Sequence, residues 1–116
     1  MAINHKDEQY FYHKDAEVKS IGTGLERRIL SFCDAAMCAE FRLEKDAEVP
    51  VHSHPHTQIS YIVEGRFRFT VGDKEIEVAK GDTVCSRNGI KHGVVCLEKG
   101  MVVDFFTPMR EDFVKD

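Results

Sequence analysis

The sequence has no C-x-x-C pair, no long apolar run and no surplus of basic charge. Each absence closes a class of function. Apolar stretches fall far short of the roughly 18 residues of a membrane span, so no membrane role is expected. Lys and Arg number 16 against 20 Asp and Glu, a formal charge of −4 with a pI near 5.8. No strongly basic face follows from that balance, and nucleic acid is not expected as a partner. Residues 1–15 lack the apolar stretch of a secretion signal, so a cytoplasmic location is expected. Four cysteines, Cys33, Cys38, Cys85 and Cys96, sit singly in apolar, strand-like stretches. Their spacing suits neither a disulfide framework nor a zinc knuckle, and they read as small buried hydrophobes. Sustained helical periodicity, low complexity and solenoid-length repeats are absent too.

What the chain does have is period-two alternation. At 116 residues it has the length of one domain, 1–116. Met37, Ala39, Phe41 and Leu43 alternate with Cys38, Glu40 and Arg42, which predicts a half-buried strand over 37–43. Phe67, Phe69 and Val71 alternate with Arg66, Arg68 and Thr70 over 66–71, with Gly72-Asp73 as a hairpin connection. Further strands are expected over 25–32, 58–64, 75–78, 83–86, 93–97 and 101–106, separated by turns that include Gly65, Arg87-Asn-Gly89 and Glu98-Lys-Gly100. Many short strands with glycine turns predict an all-β sandwich or barrel. Residues 1–16 read as an extended lead-in, about 25–106 as the barrel, and 107–116 as a tail that forms a short helix or an arm. Phe11, Phe32 and Phe113 are candidates to cover a partner's surface.

Three of the six histidines fall in Val51-His-Ser-His-Pro-His-Thr-Gln58. Residues i and i+2 of an extended segment share a face, so His52 and His54 can present both imidazoles to one cavity. Gln58 can add an amide oxygen, and His92, just after the Asn88-Gly89 turn, is the candidate for a further ligand. Imidazole and amide oxygen suit divalent Zn, Ni, Mn or Fe(II). A lone H-x-H would read better as a surface loop; its union with Gln58 and the distant G-x-x-H favours a site. His56 is expected either behind the ligands or on the pocket wall. His5 and His13 are expected to be solvent-exposed.

The run His52-x-His54-x-x-x-Gln58, closing at Gly65, resembles the first cupin motif, with Gln58 where many cupins have Glu. Gly81 to His92 resembles the second, although Arg87 replaces the usual Pro and Cys96 the Asn that often ends it. The resemblance implies a single-domain cupin, a small antiparallel jelly-roll barrel holding one divalent metal ion. More narrowly, the runs from His52 to Tyr61, His92 to Leu97 and Asp104 to Phe113 resemble the KdgF-type cupins of pectin and alginate degradation. Those enzymes linearise 4,5-unsaturated monouronates to 4-deoxy-5-keto-uronates. The likeness implies metal ligands His52, His54, Gln58 and His92, with Zn or Ni favoured and Mn or Fe compatible. It also implies an acid–base Asp104, a carboxylate-binding Arg110, a pocket-lining Phe106 and a homodimer.

Read from the residues alone, Asp104 interrupts an apolar strand and faces either the interior, where desolvation demands a role, or an outward ion pair. Arg110 offers a planar fork suited to a carboxylate, or else a solvated charge. Two other classes stay open at this point. A non-haem iron dioxygenase would use the same ligands with Fe(II) and would consume oxygen. A non-catalytic sugar-binding or sensor cupin would bind without turnover.

Overall fold

In the computed structural model, residues 8–115 are described. They form eight antiparallel strands: β1 (Lys19–Gly22), β2 (Leu25–Cys33), β3 (Ala36–Leu43), β4 (Glu48–His52), β5 (Thr57–Val71), β6 (Lys74–Ala79), β7 (Thr83–Ser86) and β8 (His92–Thr107). A 3-10 turn at His13–Asp15 precedes them, and the single helical turn α1 (Glu111–Val114) follows. The all-β jelly-roll expectation therefore holds. The tail forms a short helix, and the described part of the lead-in, residues 8–16, holds only that 3-10 turn.

The architecture turns on the two longest strands. β5 and β8 pair with each other along most of their lengths. The first half of β5 also pairs with β7, and the second half with β6. The first half of β8 also pairs with β4, and the second half with β3. One layer is thus β1-β2-β3-β8-β5-β7, and the facing layer is β4-β8-β5-β6. The switch between layers falls where the β5–β8 register slips, between Ile62 and Phe67.

Two glycines make that switch. Gly65 has φ +91°, and a Cβ there would lie 2.7 Å from both the Glu98 carbonyl oxygen and the Gly100 Cα. A Cβ on Gly100 would strike the Glu64 carbonyl. Neither position has room for a side chain, so the two strands bend together. Here the sequence expectation needs correction. Gly65 and Glu98-Lys-Gly100 were expected to end strands, whereas both lie within continuous ones.

The alternating apolar residues meet between the layers. Leu43, Ile62, Phe67, Phe69, Cys96 and Val102 form one buried cluster, and Ile29, Phe32, Met37, Ala39, Phe106 and Met109 form another. Phe32 is therefore core, and the partly buried Phe113 packs onto the second cluster. Phe11 is half-buried. Only Cys96 behaves as a buried hydrophobe: Cys38 is intermediate, while Cys33 and Cys85 are exposed because they occupy outward positions of their strands. All four thiols are free.

Outside the second cluster, Glu40 is buried on the outer face of β3. It accepts hydrogen bonds from Arg28 Nη1 at 3.1 Å and Arg42 Nε at 3.2 Å, and its other oxygen meets His13 Nε2 at 3.0 Å. Burial pulls the Glu40 pKa up, but the bonds and charges of Arg42 and His13 outweigh it and hold the group below its usual range. His13 is exposed, as expected, and also holds this carboxylate. His5 lies outside the described residues. Among the described residues, no helix is long and apolar enough to cross a membrane.

Candidate metal centre and active site

The two histidine-bearing segments meet through backbone geometry. His52 ends β4 and is the register partner of His92, which begins β8. Beside them Gly93 lets β4 approach: a Cβ there would lie 2.9 Å from the Val49 carbonyl and the Val51 nitrogen. The Gly89 N–H donates to the His54 carbonyl at 2.9 Å, joining the two loops directly. The result is a cluster in which ligand atoms of His52, His54 and His92 all lie within 4.8 Å of one another.

Each ring is oriented from behind. Nδ1 of His52 bonds the Pro50 carbonyl at 2.8 Å, and Nδ1 of His92 bonds the Ile90 carbonyl at 3.0 Å. Those carbonyls can only accept, so each Nδ1 carries the proton and each Nε2 keeps its lone pair for the cavity side. The Nε2 of His92 is buried with no hydrogen-bond partner among the described residues. An orphaned buried acceptor of this kind fits a metal ligand. His54 is half-buried; burial, the Arg110 charge and His92 push its pKa down to about 4. Burial likewise lowers His92, with smaller contributions from His52 and Arg110 and an opposing one from its bond to Ile90. Both imidazoles are neutral near pH 7, as coordination requires.

Gln58 completes the donor set. It lies on β5 opposite Phe106 and Ser86. Its Nε2 donates to Ser60 Oγ at 3.0 Å and to Asp104 Oδ2 at 3.2 Å. Those acceptors turn the amide oxygen the other way, to 3.2 Å from His54 Nε2. Three imidazoles and one amide oxygen fit a divalent ion of the Zn or Ni kind, and none of them brings a negative charge to it.

Asp104 faces inward, which resolves its two sequence readings. It is the register partner of Ser60 and is 8% exposed. Burial pushes its pKa up to about 7, against smaller downward pulls from Ser60 and Arg110. Its Oδ1 has no hydrogen-bond partner among the described residues. Arg110, from the tail, forks onto Asp112 through Nε at 3.0 Å and Nη2 at 2.8 Å. That leaves the end-on edge of the guanidinium, Nη1 with the second Nη2 proton, able to receive an anion. Its carbon Cζ stands 5.2 Å from the Phe106 ring centre.

His52, Gln58, His92, Asp104, Phe106 and Arg110 all line one cavity of about 240 Å³ between the layers. His56 stands behind: its ring centre is 5.3 Å from that of His54, and its Nε2 lies 3.0 Å from the Met109 carbonyl. It ties the histidine loop to the tail and does not line the cavity, which matches a place behind the ligands and not one on the wall. The sequence reading missed Ser60 and Arg27, which also line the cavity. Simple alternation from Gln58 and from Leu25 would have turned both inward.

Residues 39–106 match the cupin domain family. Over 109 residues the chain is 34% identical to the pectin degradation protein KdgF of Dickeya dadantii, covering 91% of this chain and 98% of that one. An RmlC-like cupin from Shewanella frigidimarina superposes with a TM-score of 0.90 at 36% identity, covering 95% of this chain and 99% of the other. KdgF from a Halomonas species superposes at 0.85 with 26% identity, covering 90% and 96%.

Proposed function

Since this chain belongs to the cupin family, and its sequence to the KdgF-type members, we propose that it is a metal-dependent enzyme of pectin or alginate breakdown that linearises 4,5-unsaturated monouronates. The observation that carries this reading is one small cavity lined by His52, Gln58, His92, a protonatable buried carboxyl and a guanidinium, with His54 clustered against the other two imidazoles.

In this reading His52, His54, Gln58 and His92 hold the ion. When bound, a divalent metal supplies Lewis acidity and a template for substrate oxygens. Arg110 receives the substrate carboxylate on its end-on edge, and the Phe106 ring walls the sugar. Asp104, protonated for part of the time near neutral pH, gives its proton to C4 of the enol ether while a water adds its hydroxyl at C5, and the water's remaining proton returns to the Asp104 carboxylate. The resulting hemiketal collapses: the C5–ring-oxygen bond breaks, its electron pair leaves with the ring oxygen, and C5 becomes a ketone. The ring oxygen takes up a proton as the C5 hydroxyl loses one. No electron leaves or enters overall, so the reaction needs no redox change.

The test is incubation of purified, metal-analysed protein with unsaturated monouronate, following loss of the enol-ether ultraviolet absorbance. Asp104→Ala is expected to lose about 100- to 10,000-fold in rate at unchanged metal content. Full activity in that variant would remove Asp104 from the chemistry. Saturable binding without turnover would instead favour a sugar-binding cupin, and oxygen uptake a dioxygenase. We take the working unit to be a cytoplasmic homodimer, as the KdgF likeness implies; Ile59, Tyr61 and Phe105, exposed on one outer sheet face, support an apolar contact surface.

A further inference from the structure

The inward positions of β2 carry Leu25, Arg27 and Ile29 in alternation, all buried. Leu25 and Ile29 join the apolar clusters, whereas Arg27 lines the cavity. A guanidinium stays charged at any ordinary pH, and taking it out of water is costly. The mechanism above gives Arg27 no task. Its Cζ lies 4.1 Å from the centre of the Phe113 ring, and the Cζ of Arg110 lies 4.1 Å from the same centre. At most twice that distance separates the two cations. One comes from the barrel wall and the other from the tail, and both rest on the ring of Phe113. Asp104 and Glu48 are the acids that line the same cavity.

We propose that Arg27 is a second anion-recognising residue, which together with Arg110 selects a carboxylate-bearing sugar over its neutral counterpart. A carboxylate has lone pairs enough to accept from two guanidiniums at once, and a forked contact is worth more than a point charge. The inference rests on the uronate reading above for its substrate class, and names a residue that would set specificity there.

Binding of galacturonate and of galactose to the metal-loaded full chain, measured by calorimetry, tests it without any turnover. The wild type is expected to prefer galacturonate. Arg27→Met is expected to weaken galacturonate at least tenfold and to change galactose less than twofold. Arg27→Lys, which keeps the charge without the fork, is expected to lose at least threefold of the preference and serves if the Met variant does not fold. The inference is overturned if the wild type shows no preference, if either variant keeps the preference intact, or if Arg27→Met weakens both sugars equally, the mark of a purely structural role through Phe113. Turnover of the unsaturated monouronate is scored separately. Its absence alongside an Arg27-dependent preference sinks the enzyme reading alone, and turnover with an Arg27-independent preference sinks this inference alone.

Discussion

Gln58 shows how one neutral side chain can serve three neighbours. Its N–H groups point at Ser60 and Asp104, and its oxygen at His54. A carboxylate there would have no proton to give Asp104 unless one of the pair stayed protonated. At the same scale, His92 has its Nδ1 fixed and its Nε2 buried and unpartnered, so His92→Ala is expected to weaken metal binding at least tenfold. Metal analysis after dialysis against buffered free ion checks this, and unchanged stoichiometry would refute the ligand role. Glu40 gives a pH-dependent outcome. Its pKa is held below the unfolded value, so its contribution is present above that value and disappears as acidification passes the folded one. Glu40→Gln is therefore expected to cost about 1.5–3 kcal/mol at pH 7, with the gap to wild type shrinking as the pH falls below the ordinary glutamate range. Urea midpoints at pH 7 and below that range measure it.

Among the elements, the strands that the sequence announced were those with clean alternation. β3 and the second half of β5 each place an apolar residue inward at every second position, and both were legible. β1 and β4 were not: each is short and almost wholly exposed, with hardly any apolar pattern to read. The continuity of β5 and β8 was also hidden, because a glycine that bends a strand looks in sequence like one that ends it. Of the site, the paired histidines and Gln58 could be read from spacing, since all lie within one short segment. The orientation of Asp104 depended on its register with Ser60, which alternation in a near-continuous apolar run cannot fix. The bend makes a prediction of its own. Gly65→Ala or Gly100→Ala is expected to destabilise the fold by about 2–4 kcal/mol, since each added methyl meets backbone rather than a movable side chain. Thermal or urea unfolding would show it, and a neutral outcome at both positions would contradict the tight crossing.

For the whole molecule, the proposed ion bridges segments that the chain itself brings together only through β4, β8 and the histidine loop. Metal that binds only the folded form stabilises it by about 2.7 kcal/mol at a hundred times its dissociation constant. For a chain of this size that is a rise on the order of 10 °C in Tm. Chelation followed by dialysis should reverse the rise, and re-addition of Zn or Ni restore it, as calorimetry can follow; an unmoved transition would speak against an ion in the three-histidine cluster.

The two layers are not independent leaves. Because β5 and β8 run through both, peeling one layer away must also tear the ladder of the other. Breathing of the barrel is therefore expected to be all or nothing, with amide protons of both long strands exchanging together and last. The histidine loop and the closing turn that carries Arg110 and Phe113 lie outside that shared ladder, and their amides are expected to exchange first.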